Sequence, residues 1–252
     1  MSETRLVGWP LVDLCRRPGG PRDRQLLMGE AVTVTARQGG WAAIRAQRDG
    51  YPGHIPEAAL GKGTHVTHRV RARATHLYPE PDFKAPDRAL LSLGARLEVR
   101  GETGRFAETP QGFVPRAHLA PLDTPEADPV AVAERLLGTP YLWGGNSAVG
   151  IDCSGLVQAA CLACDIPCPG DSGDQEGTLG HPLPADAPIA RGDLLFWRGH
   201  VAWVVDAETL IHANVHAMAV AHEPVDAAIA RIAAAGDGPV TTRRRLAFAA
   251  RG

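Results

Sequence analysis

Apolar and polar positions alternate with a period of two through much of the first 120 residues. "LLMGEAVTVTA" (26–36), "WAAIRA" (41–46), "LLSLGARLEVRG" (90–101) and "RFAET" (105–109) all follow this pattern. Such alternation, broken by glycine-rich turns, predicts short antiparallel strands with one buried face. Beyond residue 124 the period changes. Asp128 reads as an N-cap with Pro129 at the first helical position, followed by a short amphipathic helix, "VAVAERLLG", stopped by Gly138. "CSGLVQAACLAC" (153–164) places Leu156, Val157, Ala160 and Cys161 at helical spacing, ending before Pro167. "DLLFW", "HVAWVVD" and "TLIHANV" then read as consecutive strands, and the Ala-rich "AAIARIAAAGDG" (227–238) as a structural helix closed by glycine.

The N-terminal half repeats itself. "GHIPEAAL" (53–60) and "GFVPRAHL" (112–119) lie 59 residues apart, and each follows a leucine-rich start and an alternating strand. Two β-rich modules, 1–63 and 64–123, each a small barrel, are therefore expected ahead of an α+β domain over 124–252, with Pro121, Pro125 and Pro129 in the linker. Read from the residues alone, a purely structural β spacer is the alternative reading of the modules.

Composition narrows the partners. A net charge of −2 gives no broad positive field, so neither nucleic acid nor an anionic membrane is expected as the main partner. Arg243–Arg245 reads as a solvated basic edge. No signal-like start and no long apolar run is seen, and five cysteines, an odd number, suit a reduced cytoplasmic protein.

Candidate chemistry gathers around "GIDCSGLVQAA" (150–160). Cys153 follows Asp152 where a helix begins; the free N–H groups and positive dipole end there favour thiolate over thiol. The residue types alone leave Cys153 open as nucleophile, metal ligand or small buried side chain. A nucleophile needs a base, and the base an orienting partner. His200 and His212 fall on consecutive predicted strands, and a turn centred on Asp206 would set them opposite each other. Cys161, Cys164 and Cys168 lack a second cysteine pair and read as small buried residues, so neither a metal nor a cofactor is expected.

"GTPYLWGGNSAVGIDCSGLVQAA", with "RGDLLFW", "GHVAWVV" and "LIHA" after it, closely resembles the NlpC/P60 family of papain-like cysteine peptidases from residue 124 to about 222. The resemblance implies an α+β fold with a papain-like catalytic domain, a helix packed on an antiparallel sheet, preceded by two small SH3-like β-barrels. It implies Cys153 as nucleophile, His200 as base and His212 as the polar third member. Tyr141 is implied as a hydroxyl supporting the oxyanion, beside the Cys153 amide.

Two bacterial SH3-like modules before such a domain resemble the γ-D-glutamyl-L-diamino acid endopeptidases that process free murein peptides. "CPGDSGDQ" (168–175) resembles that subgroup's Pro-Arg-Asp-Ser loop, keeping Asp171 and Ser172 but carrying Gly170 in place of arginine. "LLMGE" and "DGYPG" resemble the segments that lend a glutamate and a tyrosine to the site, making Glu30 and Tyr51 candidates. The implied substrate is a small murein peptide, L-Ala-γ-D-Glu-diamino acid. Glu30 and Asp152 would meet its ammonium, Tyr51 would close the pocket, Ser154 and Ser172 would bind the D-Glu carboxylate, and Trp143 would form an apolar wall. Two alternatives stand beside this reading: an exported wall hydrolase or antibacterial effector cutting intact peptidoglycan, and a non-catalytic peptide binder.

Overall fold

The computed structural model describes residues 3–63 and 65–246. The chain divides into two compact units, Met1–Pro125 with Asn146–Val149, and Glu126–Gly145 with Gly150–Gly252. Among the described residues the fold is a mixed α+β arrangement of several antiparallel sheets and four α-helices.

In the first unit the alternating segments form strands β1 (Glu3–Leu6), β2 (Leu11–Cys15), β3 (Arg22–Leu27), β4 (Ala31–Gln38), β5 (Trp41–Ala46) and β6 (Pro52–Pro56). Their order is β1-β4-β5-β6-β2-β3. Every second residue of β4 and β5 points inward, so Val32, Val34, Ala42 and Ile44 join Leu14, Leu26 and Ile55 in one core. The β4–β5 hairpin closes through Gly39 and Gly40, whose φ values of 58° and 78° give the left-handed two-residue turn that matches strand twist.

The two-barrel expectation is overturned, because among the described residues no sheet closes on itself. The first sheet is open, with β1 and β3 at its edges. The second module breaks into three small sheets. One joins Arg96–Leu97, His68–Val70 and Leu119–Pro121, another Gly101–Thr103, Phe106–Thr109 and Gly112–Pro115, and the third Ala74–Leu77 and Ala89–Ser92. Strands of two to four residues make too few ladder bonds to run continuously around a barrel. The sequence repeat is nonetheless visible in the backbone: Pro56 leads into the 3₁₀ turn Glu57–Ala59, and Pro115, 59 positions on, leads into the 3₁₀ turn Arg116–His118.

The second unit opens with helix α1 (Pro129–Glu134), where Asp128 accepts the Val130 N–H at 2.9 Å. Helix α2 (Cys153–Ala163) is buried along most of its length and lies against the strands His200–Val204 and Thr209–Asn214. These belong to an antiparallel sheet ordered His181–Pro182, Thr242–Arg245, Asp193–Trp197, His200–Val204, Thr209–Asn214, Ala219–Pro224. Helix α3 (Ser172–Thr178) follows α2. Helix α4 (Val225–Ala234) packs Val225, Ala228 and Ile232 onto Leu195, Trp197, Ala202 and Leu210 of the sheet.

The basic run is not the solvated edge expected of it. Thr242–Arg245 pairs with Asp193–Trp197, and Arg245 grips the buried Asp193 carboxylate with two bonds of 2.7 Å.

Candidate active site

Cys153 is the first residue of α2 and is buried. The position is built by Asp152, whose Oδ1 accepts the Gly155 N–H at 2.6 Å as the helix cap and whose Oδ2 accepts the Gly144 N–H at 3.0 Å. The tight turn Trp143-Gly144-Gly145 depends on its glycines, since a Cβ on Gly145 would stand 2.5 Å from the Gly150 carbonyl oxygen. One carboxylate thus fixes both the turn before Cys153 and the helix after it. Cys153 Sγ lies 3.9 Å from the carbonyl oxygen of Gly199, the residue next to His200. Its amide stands in the first turn, where helix geometry supplies no intrahelical acceptor.

The two histidines meet, by a different register from the one expected. Trp203 pairs with Ile211 and Val204 with Leu210, which centres the connection on residue 207. Carried along the strands, this sets His212 level with Ala202, and His200 one pleat repeat further on. A shift of two residues keeps both side chains on one face. The diagonal is within reach of two imidazoles, and His200 Nε2 lies 2.8 Å from His212 Nδ1.

Behind them stand two residues that the sequence reading did not single out. Glu223 Oε2 lies 2.9 Å from His212 Nε2, and Arg231 on α4 grips Glu223 with bonds of 2.8 and 2.7 Å. Ala221 pairs with His212, so Glu223 sits diagonally on the same face. Recognising "AVAHEP" as a fourth strand would have revealed this.

The electrostatics follow from the packing. Burial, and after it the neighbouring His212, push His200 down to about 3, and burial also lowers His212. The hydrogen-bonded Arg231 guanidinium holds Glu223 below the usual carboxylate range. Burial, with Cys153 and Asp152 nearby, pushes Tyr141 up to about 12, so its phenol stays a donor. A cavity of about 170 Å³ opens beside His200, lined by Tyr141, Arg198, Asn214, Val215 and Arg231 among others. A thiol at a helix start, a neutral imidazole and a phenol donor are the parts of nucleophilic acyl transfer.

Ser154 is buried and donates to Asp152 Oδ1 at 3.2 Å. Asp171 precedes α3 and Ser172 begins it; Gln175 on α3 donates to the Ser154 and Pro169 carbonyls at 2.9 Å each, tying α3 to the start of α2. Trp143 is 71% exposed. Glu30 and Tyr51 belong to the other unit. There Glu30 is buried with Arg48 Nη1 on its Oε1 at 2.6 Å, and the Tyr51 hydroxyl donates to Asp23 at 3.2 Å. Among the described residues no cluster of three His, Cys, Asp or Glu side chains is arranged to hold a metal, and Cys161 hydrogen-bonds with Cys168 inside the fold.

Comparison with known proteins bears on these parts. Residues 138–232 match the NlpC/P60 family model, and residues 14–60 match that of the bacterial dipeptidyl-peptidase Sh3 domain. The chain is 32% identical over 190 residues to the gamma-D-glutamyl-L-lysine dipeptidyl-peptidase of Bacillus subtilis, covering 69% of this chain and 63% of that protein. It is 27% identical over 233 residues to the Bacillus cereus protein of the same name, covering 75% and 66%. The matches thus span a little under two thirds of each relative. In fold, it is similar to the crystal structure of an NlpC/P60 family protein from Bacillus cereus, with a TM-score of 0.81, 21% identity and coverage of 96% and 99%. No helix among the described residues is long and apolar enough to cross a membrane.

Proposed function

We propose, from the matches of residues 138–232 to the NlpC/P60 family and of residues 14–60 to a bacterial Sh3 domain, that the chain is a cysteine peptidase hydrolysing the γ-D-glutamyl-L-diamino acid bond of free murein peptides beginning with L-alanine. The observation that carries this reading is the His200–His212 hydrogen bond of 2.8 Å beside a cysteine at a helix start. The gamma-D-glutamyl-L-lysine dipeptidyl-peptidases similar to this chain suggest the bond that is cut.

In this account the Cys153 thiol passes its proton to His200, and the thiolate attacks the γ-carbonyl carbon of D-glutamate. The carbonyl electron pair moves to oxygen, where the Cys153 amide and the Tyr141 hydroxyl stabilise it. Collapse breaks the C–N bond, and His200 returns the proton to the departing α-amine of the diamino acid. Water, deprotonated by His200, then releases L-Ala-γ-D-Glu from the sulfur. A neutral His200 suits the first step; once the thiolate forms, its charge beside the ring favours the imidazolium.

Asp152 and Glu30 supply negative charge for the substrate ammonium. Glu30 suits that role because Arg48 holds only one of its oxygens; Oε2 is buried without a hydrogen-bond partner among the described residues. Tyr51 and Trp143 supply apolar walls, and Ser154, Asp171 and Ser172 polar contacts to D-Glu. The domain limits proposed are 1–63 and 64–123 for two SH3-like modules and 124–252 for the peptidase, the second module resting on the shared Pro-3₁₀ ending. A cytoplasmic setting is proposed on five cysteines, none of which is joined in a disulfide among the described residues. Incubating purified protein with L-Ala-γ-D-Glu-L-Lys and its diaminopimelate counterpart, with product masses recorded, tests the reading. L-Ala-γ-D-Glu should appear, and should be missing with Cys153→Ala; absence of both products with the unaltered protein overturns it.

A further inference from the structure

The two-histidine arrangement leaves open which imidazole nitrogens carry hydrogens, and the groups behind His212 decide it. Glu223 is an acceptor only, because Arg231 holds it ionised with two hydrogen bonds. At 2.9 Å, His212 Nε2 must therefore be the donor to Glu223 Oε2. A neutral His212 then has its lone pair on Nδ1. His200 Nε2, 2.8 Å from that atom, must supply the hydrogen, leaving the lone pair of His200 on Nδ1.

We infer that Glu223, clamped by Arg231, is a positioning residue that fixes the tautomers of His212 and His200 in turn, so that Nδ1 of His200 is the atom able to take the Cys153 proton. This rests on the reading of Cys153, His200 and His212 as the reacting set. Proton transfer from Cys153 Sγ to His200 Nδ1 then moves a single proton. The Nε2–H of the new imidazolium already points at the His212 lone pair, and His212 already points its own N–H at a carboxylate. No group has to turn or exchange a hydrogen as the charge appears. Glu223 reaches His212 across one diagonal of the sheet and Arg231 comes from the next helix, so strand pairing and α4 packing together hold the relay.

Removing the acceptor makes a sharp test. Arg231 binds both Glu223 oxygens, including the Oε2 that faces His212, so an amide could keep its oxygen there; Glu223→Leu instead leaves nothing to accept the His212 Nε2–H. The preference for hydrogen on Nε2 is then lost in His212 and, through it, in His200. ¹⁵N NMR of the imidazoles, recorded near neutral pH without substrate, reads these states directly. The unaltered protein should show His200 and His212 each protonated at Nε2, and Glu223→Leu should show the Nδ1-protonated forms populated in both rings. On L-Ala-γ-D-Glu-L-Lys, kcat should fall between about 10- and 100-fold, part of what general acid–base catalysis supplies, with KM nearly constant. Glu223→Asp, which keeps a carboxylate, should retain the original tautomers. His200 protonated at Nδ1 in the unaltered protein overturns the assignment, whether or not any variant folds. So does a Glu223→Leu protein that keeps both histidines protonated at Nε2, or one with shifted tautomers and undiminished kcat. If the unaltered protein cuts no peptide, the proposed function fails, while the NMR result still decides the tautomers.

Discussion

Asp152 Oδ2 accepts a hydrogen bond from the Gly144 amide at 3.0 Å while its Oδ1 caps the helix begun by Cys153. The position of the sulfur therefore depends on one side chain bonded on both sides of it. Asp152→Ala removes both bonds and should cost about 1–2 kcal/mol, the usual value of a lost cap. Asp152→Asn keeps an acceptor for Gly155 but turns its NH2 against the Gly144 N–H, so it should fall between Ala and the unaltered protein. Urea unfolding of the three proteins measures the order; an Asn variant as stable as the original would mean that the Gly144 bond contributes nothing.

Folding stability should weaken on acidification. An unfolded histidine takes up a proton near 6.5, whereas burial keeps His200 neutral down to about 3. Between those values the unfolded chain binds a proton that the folded protein does not. The stabilisation is thus fully present above pH 6.5 and is lost as pH falls toward 3. His212 is lowered too and acts in the same direction. Thermal melts between pH 7 and 4 should show a falling Tm, with a shallower slope in His200→Gln; equal slopes would contradict the shifted histidine.

Tyr141 is pushed up to about 12 and so carries its hydrogen throughout any working pH range. Tyr141→Phe keeps the ring and deletes only the donor. Loss of one oxyanion donor elsewhere costs about 10²–10³ in kcat, and a reduction toward that size is expected here with KM little changed. Steady-state kinetics decide it. A rise in KM at constant kcat would make Tyr141 a binding residue instead.

Glu30→Gln serves to separate folding from recognition. From the sequence, the expected outcome is weaker turnover of free-amine peptides with folding intact. The structure revises the second half, because Glu30 is buried against Arg48. Neutralising it leaves the guanidinium with the more distant Asp49 carboxylate at 3.6 Å. A loss of about 1–3 kcal/mol is expected from the poorly paired buried charge, along with a lower kcat/KM for free-amine peptide. Denaturation together with turnover of free and N-acetylated peptide checks both. Unchanged kcat/KM would reduce the first module to a structural role.

The second unit was the more legible from sequence, for reasons visible in particular residues. Asp128 caps α1 as its type and the following Pro129 predict, and α2 begins at Cys153 where a helix start was expected, because capping is a local interaction between a side chain and the next three residues. The strands carrying His200 and His212 were legible from apolar runs. Their register was not, since it depends on how many residues the turn at 205–208 absorbs. The error of two residues was harmless to the site because the pleat repeats every two. Glu223 and Arg231 escaped notice because their roles exist only after an edge strand and a helix have packed together. Barrel closure was likewise out of reach: alternation gives each strand a buried face but says nothing of whether the outer strands meet. The Arg243–Arg245 run misled through composition, since its partners Asp193, Leu179 and Gly180 lie more than fifty residues away in the chain.

The most direct test of the central claim compares hydrolysis of L-Ala-γ-D-Glu-L-Lys with that of its N-acetylated form and of intact peptidoglycan, each with a Cys153→Ala control. The account predicts release of L-Ala-γ-D-Glu from the free-amine peptide alone, lost in the control. Equal cutting of the blocked peptide or of the wall would contradict the proposed recognition and make the protein a wall hydrolase; cutting that survives in Cys153→Ala would contradict the mechanism itself.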